Sequence, residues 1–307
     1  MKFDCVSVGS WAAFDKIWTL DSDLADGGTA QILLDKNVDK LFYGDCSFNV
    51  AVAANNLGLT SGVVSVVGQD FETANYSKYL QNRGIDISGV TILPSRSSGI
   101  NMNISMPDGT TFCITKPDAS LEQDKVISYG HAIESTKWLI VNEKFSFFAL
   151  HAVQKAKKFG AKILINGAIG NESSTSQEIL SLADILVANE SEFAALKSNK
   201  MVDLLPSIVV KTFGKQGVTV QDGSHVFSVA TIPTDRVIDT TGAGDSLVAG
   251  IIAGIVKGFS LKDCVKIGVC TASLVIEEVG CQSRVYDWSE VFEIFKLMPS
   301  KGDEGGE

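Results

Sequence analysis

Short apolar, β-branched runs alternate along this chain with amphipathic stretches of 10–16 residues. Strand-like runs fall at 3–9, 61–67, 137–141, 161–165, 185–188 and 208–212. Helical periodicity falls at 47–57, 71–83, 146–159, 190–197, 243–257 and 261–279. Alternation of this kind predicts an α/β fold, a largely parallel sheet with helices on both faces. Two regions break the pattern. Segments 28–42 and 99–114 read as extended, with polar alternation and a Pro-Asp-Gly turn at 107–109. Asn101, Asn103 and Ser105 alternate with apolar neighbours there, so one face of the ribbon is wet. Two readings stay open, an edge hairpin or a small β-lid over the mouth of the α/β body. The lid reading makes 1–300 one domain carrying lid segments at about 12–44 and 96–116. The terminal KGDEGGE, 301–307, reads as a disordered tail.

Composition narrows the function classes. The 307 residues suit one α/β domain with an appended lid, and 45% apolar with 20% charged is ordinary globular content. Twenty-six basic against 36 acidic residues leave a net charge of −10. A chain this acidic lacks the footprint that a nucleic-acid polymer requires and has no polybasic run for an anionic membrane. The six cysteines form no Cys-x-x-Cys pair, and MKFDCVSVGS does not read as a signal peptide. The apolar run near 247–256 is too short to span a bilayer. A reduced, cytoplasmic protein is the expectation. Of the three histidines (His131, His151 and His225) none stands at metal-ligand spacing from a cysteine or carboxylate. Chemistry here has to run on carboxylates, backbone amides and metal ions.

The strongest local signal is Asp239-Thr-Thr-Gly-Ala-Gly-Asp245, which leads straight into an apolar helix. A glycine-rich turn at a helix start leaves N–H groups of Ala243, Gly244 and Asp245 converging on one spot, an anion site. Asp245 inside that site is wrong for merely holding an anion. A carboxylate there suits a general base that takes a proton from a hydroxyl attacking phosphorus. A dinucleotide fingerprint fails because Leu247 stands where its third glycine belongs, and no P-loop motif occurs.

The segment DTTGAGDSLVAG resembles the C-terminal signature of the ribokinase, or pfkB carbohydrate kinase, family. Three more motifs stand in the family's order. Gly44-Asp-Cys-Ser-Phe-Asn49 resembles its Gly-Gly-x-x-x-Asn segment, Asn189-Glu-Ser-Glu192 its Asn-x-x-Glu motif, and Lys211-Thr-Phe-Gly-Lys-Gln-Gly217 its nucleotide-binding strand and loop. The resemblance covers about 3–295. It implies a ribokinase-like fold and an ATP- and Mg²⁺-dependent kinase acting on a small nucleoside or sugar. Asp245 would be the base, Gly242–Gly244 the anion hole, and Asn189 and Glu192 a Mg²⁺ position reached through water. Thr212, Gly214 and Gly217, with Asn189, would contact nucleotide. Asp239 and Thr241, with carbonyls near 278–280, would form the site of a monovalent cation such as K⁺.

On the acceptor side the resemblance implies hydroxyl contacts at Asp15, Gly44 and Asn49, with Asn103 reaching in from the ribbon. Asp45 departs from the family glycine; it either binds another hydroxyl or caps the helix beginning near Cys46. Blocks such as YGDCSFNVAVAANNLG and GVCTASLVIEEVGCQ are most similar to archaeal-type nucleoside kinases. A nucleoside accepting phosphate at its 5′-hydroxyl is therefore expected, with Trp11, Phe14 or Phe112 stacking on the base. A ribose or fructose kinase is the alternative, and a non-catalytic nucleotide- or sugar-binding protein the second. A homodimer through the lid is also expected.

Overall fold

The computed structural model describes residues 2–24, 28–107, 111–126, 129–167, 173–234 and 236–298. In chain order the first half runs β1 (Phe3–Val8), β2 (Phe14–Thr19), β3 (Phe42–Tyr43), α1 (Cys46–Asn56), β4 (Ser61–Gly68), α2 (Asp70–Thr73), α3 (Tyr76–Asn82), β5 (Asp86–Leu93), β6 (Ile100–Ser105) and β7 (Thr111–Lys116). The second half begins with β8 (Thr136–Val141), α4 (Phe147–Lys158), β9 (Lys162–Asn166), α5 (Ser174–Ser181), β10 (Ile185–Asn189) and α6 (Glu190–Ser198). It ends with β11 (Ile208–Thr212), β12 (Val218–Asp222), β13 (His225–Val229), α7 (Ala243–Val256), α8 (Leu261–Val275) and α9 (Trp288–Leu297).

Nine strands form one sheet in the order β13-β12-β11-β10-β9-β8-β1-β4-β5. From β11 through β5 every pairing is parallel; the β11–β12 and β12–β13 pairings are antiparallel. The apolar runs of the central strands explain this arrangement, because successive side chains feed opposite faces. Leu139 and Val141 enter one core with Ile163, Ile165 and Leu186, while Ile140, Leu164 and Val187 enter the other. On that second face α7 and α8 meet through glycines. A side chain on Gly250 would begin 2.6 Å from the Gly268 backbone, so the helices approach more closely than larger residues allow.

The ribbon is not an edge of this sheet. It is a separate four-stranded sheet ordered β3-β2-β6-β7. One of its two central strands, β2, lies outside the expected segment 28–42, of which only Phe42 joins a strand. Asp15 interrupts the apolar pattern of β2 and masked it. The helix expected over 71–83 is split at Asn75, which adopts a left-handed φ of 61°. The helix expected to 279 stops at Val275, and α5, α9, β5, β12 and β13 lie outside the elements expected from sequence. The tail 301–307, and Asp108 and Gly109 of the expected turn, lie outside the described residues.

Candidate active site

Strand β1 lies between β8 and β4, and the chain works outward from it in both directions. The crevice past the C-terminal strand ends at such a switch point is where open α/β sheets bind ligands. A cavity of about 230 Å³ occurs there. Glu143 follows β8, Asn166 and Gly167 close β9, Asn189 closes β10 and Thr212 closes β11, and all line it. Residues Asn101, Asn103 and Cys113 cover it from the small sheet.

Asp245 sits in the first turn of α7, 6% exposed. Gly242 starts that helix with a φ of 81°, a left-handed value that glycine adopts freely. A side chain on Gly242 would also begin 2.8 Å from Cys281 Cβ. The Asp245 carboxylate accepts one amide on each oxygen, Asn49 Nδ2 on Oδ2 at 2.9 Å and Asn166 Nδ2 on Oδ1 at 2.9 Å. Burial pushes this carboxyl up to about 7; the Asn49 amide opposes the rise and the Glu143 charge adds to it.

Asp15, Asp45 and Asn101 line the cavity beneath the small sheet, with Gly44 packed against Asp15. Asp15, 1% exposed, accepts from Asn101 Nδ2 at 3.1 Å and from Cys281 Sγ at 3.5 Å. Burial raises it to about 6, against the Asn101 hydrogen bond. Only glycine fits at 44, since a side chain there would begin 1.7 Å from Asp15 Oδ2. Asp45 stands at the N-cap of α1 with a φ of 70°, yet its side chain caps nothing. Its Oδ2 accepts the Ala12 N–H at 2.5 Å instead, tying down the loop between β1 and β2. Neither its Oδ1 nor the hydroxyl of neighbouring Ser10 has a hydrogen-bond partner of good geometry. Burial, then the Glu143 and Asp15 charges, holds Asp45 well above the usual carboxylate range. Asn103 Nδ2 is also buried and unpartnered beside the cavity.

Asn189 and Glu192 form a capping box at α6. Asn189 Oδ1 accepts the Glu192 N–H at 2.9 Å, and Glu192 Oε2 accepts the Asn189 N–H at 2.7 Å. Burial raises the Glu192 carboxyl, and the Glu143 charge adds to that. Gly214 and Gly217 lie in the turn between β11 and β12 and do not line the cavity, whereas Thr212 does. Asp239 ties two loops together. It accepts from Thr241 N at 3.0 Å, Thr241 Oγ1 at 2.6 Å and Gly280 N at 2.9 Å.

The pfkB family carbohydrate kinase profile matches residues 38–288. The chain belongs to the pfkB family of carbohydrate kinases. It is similar to a nucleoside kinase of Methanothermobacter thermautotrophicus, 29% identical over 301 residues and 95% of either chain. The solved nucleoside kinase of Methanocaldococcus jannaschii superposes with a TM-score of 0.81 at 25% identity, covering 96% of this chain and 99% of the other. The inosine complex of a Burkholderia thailandensis nucleoside kinase shares the fold, with a TM-score of 0.83 at 19% identity over 95% of this chain and 97% of the other. This pfkB kinase is a phosphotransferase with an alcohol group as acceptor.

Against that identity, three sequence expectations change. Phe14 cannot stack on a ligand, because it is fully buried among Phe48, Tyr43 and Tyr76. Phe112 lies on the other face of β7 from Cys113, half exposed and turned from the cavity. Trp11 is not among the lining residues; Lys144 Nζ covers its ring at 4.4 Å. Sequence reasoning also passed over Glu143, Asn166, Asn142 and Gln282. The first three are polar residues directly at or past the ends of apolar strands, a readable signal; nothing local marks Gln282.

These buried carboxyls set a pH dependence of stability in the ligand-free protein. Asp15 and Asp245 bind protons more tightly folded than unfolded, so their contribution is complete below about pH 4. It is lost as pH rises through about 6 and 7. Denaturant unfolding should therefore show stability falling by about 2–4 kcal/mol between pH 5 and 8. The paired change Asp15→Asn and Asp245→Asn should flatten that slope; an equal slope in the variant would contradict the assignment.

Proposed function

We propose that this kinase transfers the γ-phosphoryl group of ATP to a primary hydroxyl, the 5′-hydroxyl of a nucleoside, with Asp245 as general base. The observation that carries the reading is Asp245 itself, a buried carboxylate at the head of a helix, held by two amides and raised to about 7. A base of that strength is about half ionised at neutral pH, and it still binds the proton firmly enough to drive the transfer. The N–H groups of Gly242 and Gly244 would take the charge that develops on the transferred group; the Ala243 N–H, expected to join them, instead donates to Thr240 O at 3.2 Å.

Asp15, Gly44 and the free amide of Asn103 would receive the acceptor, with Asp45 at its edge. Asn49 lines the same wall, although both ends of its amide are already engaged within the protein. Thr212 would meet the nucleotide, with Asn189 beside it and Gly214 and Gly217 shaping the turn. Glu192 spends one oxygen on its capping box and keeps Oε1 beside Gly167 at the cavity. One carboxylate, phosphate oxygens and water make a donor set that fits Mg²⁺. When bound, Mg²⁺ would neutralise charge on the phosphates. Asp239 accepts three hydrogen bonds, which leaves about one of its lone-pair sites for a monovalent cation beside Thr241 and backbone carbonyls.

Support for a nucleoside comes from the full-length relatives; the cavity lining favours the sugar reading in one respect, as it includes no aromatic ring for a base. Comparing kcat/KM for adenosine, guanosine, inosine and cytidine with ribose and fructose decides between them. A nucleoside should win; a free sugar ahead of every nucleoside by about tenfold, some 1.4 kcal/mol, would transfer the assignment to a sugar kinase. In either case Asp245→Ala should lose at least ~10²-fold in turnover with little change in ATP affinity, and near-normal turnover would overturn the base.

The small sheet is proposed to close as a lid, excluding water that competes with the acceptor. Its outer face carries half-exposed Phe112 and Ile114, which a second copy of this chain would cover. Acceptor should slow amide exchange in β6 and β7 where ATP alone does not, and light scattering should give a dimer that Ile114→Asp makes monomeric. Unchanged exchange would remove the lid, and a wild-type monomer the dimer.

A further inference from the structure

Each of the two amides on Asp245 is oriented by a second amide behind it. An asparagine side chain has one donor end and one acceptor end, so it holds a carboxylate only if something fixes which end points there. For Asn49 that fixing group is Gln282. Gln282 Nε2 donates to Asn49 Oδ1 at 2.9 Å, which leaves Asn49 Nδ2 to face Asp245. Gln282 is itself held, because the same Nε2 lies 2.7 Å from the Tyr76 hydroxyl. For Asn166 the fixing group is Asn142. Asn166 Nδ2 donates to Asn142 Oδ1 at 2.9 Å as well as to Asp245. Asn142, fully buried, has its own Nδ2 committed to Ser7 Oγ, Val8 O and Ser47 Oγ. Neither Gln282 nor Asn142 donates to Asp245.

We propose that Gln282 and Asn142 are positioning residues that lock the Asn49 and Asn166 amides with their N–H ends on Asp245, and so hold that carboxylate ready as the base. The proposal rests on Asp245 being the base. Its physical content is a sign. A carboxyl facing two N–H donors is favoured in its charged form; turn one amide round and a carbonyl oxygen faces the carboxylate, which favours the protonated form. The titratable groups that face Asp245 among the described residues are Cys46 on α1, Glu143 after β8 and Cys281 in the loop after α8. None of them is a cation, so nothing else nearby compensates for a turned amide.

Gln282→Glu tests the lock directly, since the change is nearly isosteric and replaces the donor with an acceptor. The new carboxylate would demand the Asn49 N–H, turning its carbonyl toward Asp245. A hydrogen bond to a charged group is worth enough to move a carboxyl by about 1–2 pH units. The acidic limb of the kcat profile should therefore rise by about 1 unit or more, with kcat at pH 7 falling about fivefold or more and KM for ATP unchanged. The added charge also acts through space, and Asn49→Leu separates the two routes. In that background Gln282→Glu should shift the limb by less than half as much if the amide is the conduit. Gln282→Leu, which adds no charge, should lower kcat more than it raises KM. An unshifted limb in Gln282→Glu, or an equal shift with and without Asn49, would overturn the lock while leaving the base standing. Asp245→Ala with normal turnover would instead remove the reading on which it depends.

Discussion

The arrangement depends on one unfavourable fact, a carboxylate taken out of water at the head of α7. Ionising Asp245 there is costly, and a cationic partner would be the simplest compensation. The cavity offers none. Among the described residues its lining carries five carboxylates (Asp15, Asp45, Glu143, Glu192 and Asp245) and neither lysine nor arginine. A lysine against Asp245 would hold its charge so firmly that it would be a poor base. Two neutral amides stabilise the charged form only in part, and burial together with Glu143 carries the carboxyl to about 7.

The fold delivers these groups from distant parts of the sequence. Parallel strands end together, so Glu143, Asn166, Asn189 and Thr212 arrive on one rim. The loop after α8 then stitches the site from behind with three consecutive residues. Gly280 donates to Asp239, Cys281 to Asp15 and Gln282 to Asn49. A shift in that short segment would reach Asp15, the Asn49 amide on Asp245 and the glycine-rich turn at once. This is how a packed scaffold holds reacting groups in place, by fixing the residues that fix them.

What could be read from sequence follows from how locally each feature is encoded. The parallel sheet was legible because β-branched runs and amphipathic helices follow one another directly. Asp245 was legible because its glycine-rich turn and helix are contiguous with it. The small sheet was half legible: β6 and β7 alternate visibly, but β2 hides behind Asp15, whose burial makes sense only once Asn101 and Cys281 surround it. Asp45 was seen as a departure but not as the tether of the loop at Ala12, a contact across 33 positions. Asn49 was expected on substrate and instead bridges Gln282 and Asp245, 233 and 196 positions away. Amide networks of this kind leave no periodic trace, because their partners come together only through the tertiary fold.

The central claim is that burial and the Glu143 charge, opposed by two amides and with no cation, set the proton affinity of Asp245. Carbon-13 carboxyl NMR of the ligand-free protein, with the resonance assigned by its loss in Asp245→Asn, measures that affinity without reference to catalysis. The account predicts a midpoint for Asp245 near 7. A midpoint near 4, the ordinary carboxylate range, would contradict it.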